Sequence, residues 1–138
     1  MTAAVLDTNV LASGFVSRAG ASGQLLLLWT YRVFELIISE PILTELERTF
    51  QKSYFSQRLA PAQSVVNLAL LRREATLMPI TAQAQGVATH PEDDLVLATA
   101  ESAQADYLVT GDKKLQRLGT YHQITILSPR EFLALLSS

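Results

Sequence analysis

Short apolar segments alternate along the whole chain with longer segments of helical periodicity, and this alternation limits the folds that the sequence can adopt. The predicted strands are Ala3–Asp7, Phe34–Ile38, Tyr107–Thr110 and Ile124–Leu127, with Thr76–Ile80 as a short edge strand. Strands that alternate with helices predict an α/β domain with a mostly parallel sheet. Strands that are apolar along their length suit a sheet covered on both faces. The 138 residues fit one domain, 1–138.

The helical segments have recognisable ends. The predicted helices are Asn9–Val16, Ala21–Arg32, a third from Ser39 to about Lys52, Pro61–Glu74, Asp94–Ala105, Lys113–Leu118 and a last one that runs through Leu136. We expect Thr8 or Asn9 to cap the first helix and Ser39 to cap the third. Ser128 and Glu131 have the spacing of a capping box at the start of the last helix.

Composition excludes several classes of site. The chain has no cysteine, which excludes thiolate zinc sites, disulfide frameworks and thiol nucleophiles. The longest apolar run, Leu25–Trp29, is far shorter than the ~20 residues of a membrane span. Asp7 and Asn9 interrupt the N-terminal segment too early for a signal peptide. We therefore expect a soluble cytoplasmic protein that does not associate with membranes. Its net charge of −2 is opposite to that of a basic nucleic-acid binder.

Acidic residues follow the predicted strands at the edge where ligands bind in open α/β sheets. Asp7 follows AAVL and Asp112 follows YLVTG, while Asp94 opens the helix that leads into the second of these strands. Glu45 lies in the third helix. Two carboxylates ~4 Å apart repel by about 4 kcal/mol at a surface-like dielectric, so such a cluster predicts a bound cation or a shared proton. Oxygen ligands favour Mg²⁺ or Mn²⁺, which can polarise a phosphoryl oxygen, generate hydroxide and orient an in-line attack.

Other phosphoryl-transfer chemistries fit the pattern less well. The sequence has no Gly-rich phosphate loop, no GxSxG and no HExxH. A receiver-like domain needs a phospho-accepting Asp on a middle strand, but the second predicted strand ends in Ile38 and Ser39. A haloacid-dehalogenase-like domain needs D-x-D after the first strand, where this chain has Asp7 followed by Thr8 and Asn9.

Four motifs together resemble those of PIN-domain proteins. They are LDTNV at 6–10, SEPILTEL at 39–46, PEDDLVLATA at 91–100 and ADYLVTGDKKL at 105–115. Their order covers nearly the whole chain, and the likeness is greatest to toxin components of bacterial and archaeal toxin–antitoxin pairs. The resemblance implies a PIN-like three-layer sandwich with a central, mostly parallel β-sheet flanked by helices. It also implies a metal-dependent endoribonuclease that uses Mg²⁺ or Mn²⁺ on single-stranded RNA, an antitoxin protein as partner, and a homodimer.

The resemblance assigns roles to particular residues. The implied catalytic and metal-binding acids are Asp7, Glu45, Asp94 and Asp112. The implied supporting residues are Thr8, Asn9, Asp93 and Thr110, and Lys113 and Lys114 are candidates for RNA contact. The family segment D-P-x-D-D begins here with His90, which alters the site beside Asp93 and Asp94.

Plainer interpretations exist for the same residues. Asp7, Asp93 and Asp94 would also favour a helix N-terminus through capping or the helix dipole. A helical wheel does not choose between Glu45 and Glu47, because both flank the predicted buried stripe of the third helix. His90 and the acidic balance favour an alternative function, a catalytically weak PIN-fold module that binds RNA or protein.

Overall fold

The computed structural model describes residues 1–81 and 91–138, and within the helix Pro91–Ser102 it describes side chains from Asp94 onward. Its strands are β1 (Ala3–Leu6), β2 (Glu35–Ile38), β3 (Thr76–Leu77), β4 (Tyr107–Val109), β5 (Thr120–Tyr121) and β6 (Ile124–Leu127). They form one sheet in the order β3-β2-β1-β4-β6-β5. Only the pairing of β5 with β6 is antiparallel. The predicted mostly parallel sheet is confirmed.

The helices connect these strands and cover the sheet. They are α1 (Thr8–Val16), α2 (Ala21–Thr30), α3 (Glu40–Phe50), α4 (Ser53–Ser56), α5 (Pro61–Glu74), α6 (Pro91–Ser102), α7 (Lys113–Gln116) and α8 (Pro129–Leu136). Helix α6 packs across β1, β2 and β4, while α2 packs against α1 and α8. Within the described ranges, every helix is too short or too polar to cross a bilayer.

The central strand β1 is buried on both faces. Ala4, Val5 and Leu6 are all inaccessible to solvent. Successive side chains of a strand point to opposite faces, so helices must cover both sides of the sheet. The ring of Phe132 in α8 packs edge to face against the ring of Phe34, with centroids 5.2 Å apart. The expected α/β architecture with flanking helices is therefore confirmed.

Some predicted helix ends are wrong, and each has a physical cause. Ser39 does not cap α3 through its side chain. Its hydroxyl instead hydrogen-bonds the hydroxyl of Thr99 over 2.8 Å, and both residues are fully buried. Helix α2 ends at Thr30 because Arg32 adopts the left-handed region with φ 61°. The capping box of α8 is confirmed, since Ser128 and Glu131 bond each other's backbone N–H groups.

Other differences are small. The sequence did not predict α4 or the two-residue strand β5. Strand β3 ends at Leu77, three residues before the predicted end at Ile80 and ahead of Pro79, which lacks the N–H that a ladder needs. Helix α6 begins and ends three residues earlier than predicted. Helix α5 has the predicted bounds, Pro61–Glu74.

Candidate active site

Asp7 lies at the carboxyl end of the central strand and begins helix α1. Its backbone N–H donates to the Val109 carbonyl oxygen over 3.0 Å, which holds it beside the end of β4. Its Oδ1 accepts from the Val10 N–H over 2.9 Å, so Asp7 is the N-cap of α1. The prediction that Thr8 or Asn9 caps this helix is wrong, because the helical turn begins one residue earlier.

Thr110 joins the ends of β1 and β4 through its side chain. Its hydroxyl donates to Oδ2 of Asp7 and accepts from the backbone N–H of Asp112 over 3.0 Å. Its own N–H donates to the Leu127 carbonyl oxygen over 2.9 Å, so the loop after β4 is also tied to β6. Thr110 is fully buried. A single hydroxyl thus holds Asp7 and Asp112 at one rim, although 105 positions separate them in sequence.

Asp112 caps the short helix α7 from this rim. Its Oδ1 accepts from the Lys114 N–H over 2.8 Å, and its side chain is half-buried. Gln116, which the sequence analysis missed, donates from Nε2 to the Thr110 carbonyl oxygen over 2.7 Å. Its position four residues after Asp112, one helical turn later, is the signal that could have identified it. The backbone around Asp112 is therefore fixed from both sides.

Asp7 is a buried carboxylate without a cationic partner. It is 6% exposed, and none of the salt bridges within residues 1–81 and 94–138 includes it. Burial raises the pKa of Asp7, hydrogen bonds from Thr110 and Val10 oppose that rise, and the negative charge of Asp112 adds to it. A buried charge without a partner is costly. A divalent cation with oxygen ligands would relieve this cost, so the Asp7 and Asp112 carboxylates fit such an ion.

Glu45 lies across a cleft from the start of α1. It lines this cleft, of about 310 Å³, together with Thr8 of α1, the residue after Asp7, and Leu95 of α6. The Glu45 side chain is 27% exposed and lies 3.5 Å from Arg48, whose charge partly offsets its own. Glu47 is exposed, and it is not among the residues of this cleft.

The acids do not form a closed ligand set. Among the residues whose side chains are described, no group of three or more His, Asp or Glu side chains is close enough to hold a metal ion. The structure joins Asp7 to Asp112 and places Glu45 in the adjoining cleft, whereas half-buried Asp94 is not among the residues that line this cleft. Mutual repulsion between carboxylates opposes closer approach when no cation lies between them. His90 and the side chain of Asp93 lie outside the described part of the chain.

The remaining candidate residues take different positions. Thr8 is buried against the cleft, whereas Asn9 is exposed and its backbone N–H lowers the pKa of Asp7. Lys113 and Lys114 are both exposed. Lys113 lines a second cleft, of about 450 Å³, together with Gly111, and Lys114 is not among its lining residues.

Comparison with known proteins gives the same fold. The chain is similar to a chain in the crystal structure of VapBC2 from Rickettsia felis bound to a DNA fragment from their promoter. The TM-score is 0.63 at 17% sequence identity, and the match covers 92% of this chain and 98% of that one. No curated protein matches the sequence. A family model described as PIN domain matches residues 3–114, which include Asp7, Glu45, Asp94 and Asp112. The chain therefore belongs to the PIN domain family.

Proposed function

We propose that this protein is a metal-dependent endoribonuclease that hydrolyses phosphodiester bonds of single-stranded RNA. The observation that carries the proposal is the bridge from buried Asp7 through Thr110 to Asp112 at the carboxyl rim of the sheet. Membership of the PIN domain family supports it. An RNA substrate would place the activity in the cytoplasm.

Asp7 and Asp112 would hold the ion, and Glu45 from the adjoining cleft and Asp94 from α6 would complete its surroundings. Bound Mg²⁺ or Mn²⁺ would polarise the phosphoryl oxygen and supply hydroxide near neutral pH. Thr110 donates to Oδ2 of Asp7 and the Val10 N–H donates to Oδ1, so hydrogen bonds hold both oxygens of this carboxylate in one orientation. Burial of Asp7 excludes water from one side of the rim and strengthens its electrostatic interactions.

Asp112→Asn gives the most direct test of this function. Asparagine also caps helices well, so α7 and the fold should survive while one carboxylate charge is lost. The parent protein should cleave a labelled single-stranded RNA in Mg²⁺ or Mn²⁺, and the variant should not. Asp106→Asn is the matched control, because Asp106 bonds the Ala3 N–H at the opposite edge of the sheet. Equal cleavage by parent and Asp112→Asn would contradict the proposal.

A second candidate is a catalytically weak module that binds RNA or protein. It is favoured by the absence, among the described side chains, of a closed group of three acids. The two functions separate in one experiment, since the module would bind RNA in Mn²⁺ without shortening it. RNA shortened by the parent protein and left intact by Asp112→Asn would exclude the module.

We also propose that the protein is the toxin of a toxin–antitoxin pair and forms a homodimer. The similarity to a chain in the VapBC2 structure supports the toxin–antitoxin assignment, and the homodimer is an expectation from the family resemblance. Induction of the chain alone should arrest growth, and co-expression with the protein encoded beside its gene should relieve the arrest. Growth arrest that persists in the Asp112→Asn variant would separate toxicity from the nuclease and contradict this assignment. Light scattering of the purified chain tests the dimer.

A further inference from the structure

The second cleft differs from the first in charge and lies directly beside Asp112. Gly111 and Lys113, the residues before and after Asp112, both line it. Arg130 at the start of α8 supplies a second cation, and no acid is among the described residues that line this cleft. The first cleft, by contrast, is lined by Glu40 and Glu45 together with Arg48, and both glutamates form ion pairs, with Arg72 and Arg48. The second cleft is therefore the basic cleft of the two, and it lies directly beside Asp112.

The basic cleft also presents hydroxyl groups. Ser13 and Ser17 of the α1 segment and Ser22 at the start of α2 line it. Helix α2 begins at this cleft without a side-chain cap on its backbone N–H groups. Within the described part of the chain, neither Lys113 nor Arg130 forms a salt bridge. The positive charge of Lys113 interacts with the carboxylate of Glu131 and, after the hydrogen bonds with Ser128, contributes to the lowering of its pKa.

We propose that the basic cleft binds the sugar–phosphate backbone of single-stranded RNA next to the bond that is cut; this inference rests on the proposed ribonuclease function. Lys113 and Arg130 match phosphate oxygens in charge, and the serine hydroxyls match phosphate and sugar oxygens as hydrogen-bond partners. Such contacts position a strand without reading its sequence. The strand then continues from the basic cleft to Asp112, where a bound cation would contact the phosphate at the bond that is cut.

The net charge of the protein is −2, which contrasts with the local positive charge of the basic cleft. The chain as a whole would not attract RNA, so a cleft that gathers cations and hydroxyls without acids gives the strand a preferred path. Its volume of about 450 Å³ is in the range of small-ligand sites, so it suits a short stretch of one strand rather than a duplex.

The test measures binding apart from cleavage. A short fluorescent single-stranded RNA is titrated with the protein in EDTA at several KCl concentrations, and anisotropy gives the dissociation constant at each. The double variant Lys113→Gln/Arg130→Gln should bind at least about tenfold more weakly, the factor of one charge-assisted hydrogen bond. Each lost phosphate contact should reduce the slope of log affinity against log salt by about 0.7. The double variant Lys52→Gln/Arg117→Gln has the same net charge with both changes outside the cleft, and should bind like the parent.

A second variant separates binding from folding. Ser22→Asp places a carboxylate in the first turn of α2, where the helix dipole favours it. The melting temperature should therefore stay the same or rise, while RNA affinity falls at least as far as in the double glutamine variant. Parent-like affinity in both cleft variants would overturn the inference.

The outcomes also distinguish this inference from the function on which it rests. RNA cleavage that is lost in Asp112→Asn, together with unchanged RNA binding in the cleft variants, would leave the nuclease standing and refute the cleft. Absence of RNA binding by the parent in EDTA at low salt would refute the cleft, whereas absence of RNA cleavage by the parent in Mg²⁺ and Mn²⁺ would refute the nuclease. Polyglutamate that displaces the RNA at equal charge concentration would assign the cleft to an acidic protein instead and refute the RNA path.

Discussion

Replacement of Asp7 by asparagine should separate the cost of a buried charge from the benefit of a bound cation. In the metal-free protein, burial first and the charge of Asp112 second raise the pKa of Asp7. The folded state then holds this proton more tightly than the unfolded state, so the stability contributed by Asp7 falls as pH rises through its raised pKa. Asparagine keeps an oxygen for the Val10 N–H and carries no charge. In EDTA at neutral pH, Asp7→Asn should therefore melt at or above the parent temperature.

Bound metal should reverse the order of the two melting temperatures. A ligand at 100 times its dissociation constant stabilises the folded state by about 2.7 kcal/mol. For 138 residues, an unfolding entropy of about 2.1 cal/mol/K per residue gives ~290 cal/mol/K in total, so the parent should gain about 9 °C. The gain should be absent in Asp7→Asn, which lacks the charged ligand.

The assay is thermal unfolding followed by circular dichroism, with EDTA and with a Mn²⁺ titration. Asp106→Asn is the control, because it removes the same charge from a carboxylate that bonds the Ala3 N–H away from the rim. This control should lose basal stability but keep the full response to Mn²⁺. An equal Mn²⁺ response in Asp7→Asn and the parent would refute a site at Asp7, and a parent that does not respond at all would refute the metal site.

Three further changes test individual contacts. Thr110→Val should lower the free energy of unfolding, measured in urea, by about 1–3 kcal/mol, because Asp7 and the Asp112 N–H each lose a buried partner. Thr110→Ser keeps the hydroxyl and should retain most of the parent stability. Equal urea midpoints for the parent and Thr110→Val would show that the bridge does not stabilise the fold. Gly23→Ala should cost about 2 kcal/mol, since a Cβ there would lie 2.1 Å from the Ser17 carbonyl oxygen. Gly20→Ala, which meets nothing within 4 Å, should be neutral, and similar losses in both would refute the packing argument. The Ser128 N–H holds the pKa of Glu131 below its usual range, so its stabilisation is present above the ordinary carboxyl pKa and is lost as pH falls through the lowered value. In Glu131→Gln, the melting temperature should therefore fall less steeply than that of the parent as the pH is lowered. The same decrease in both proteins would contradict this prediction.

The sequence could predict that Asp7 and Asp112 share one rim, because the carboxyl ends of parallel strands lie at the same edge of a sheet. Asp7 and Asp112 follow the neighbouring strands β1 and β4, and parallel pairing of these strands places both residues at the same edge of the sheet. The bridging bond of Thr110 was beyond the sequence, since a threonine two residues before an aspartate is equally consistent with a local turn. Its actual partner lies 103 residues away.

Tertiary contacts also determine features of the fold that local sequence patterns could not predict. Ser39 has the right identity for a cap, but the buried hydroxyl of Thr99, 60 residues away, competes for its side chain. The helical wheel of α3 could not separate Glu45 from Glu47, and only packing against α1 and α6 shows which one lines the cleft. Strand β5 was missed because the turn that follows it uses His122 with φ 55° rather than a glycine.

The Thr110 bridge ties Asp7 to a residue that is synthesised 103 positions later. A nascent chain that has not yet reached Val109 carries the first acid but lacks both the hydroxyl and the carbonyl that orient it. The loop after β4 gains its tie to β6 when Leu127 accepts the Thr110 N–H. The order of synthesis therefore delays assembly of the Asp7–Asp112 rim, and with it the proposed activity, until the chain through Leu127 is free to fold.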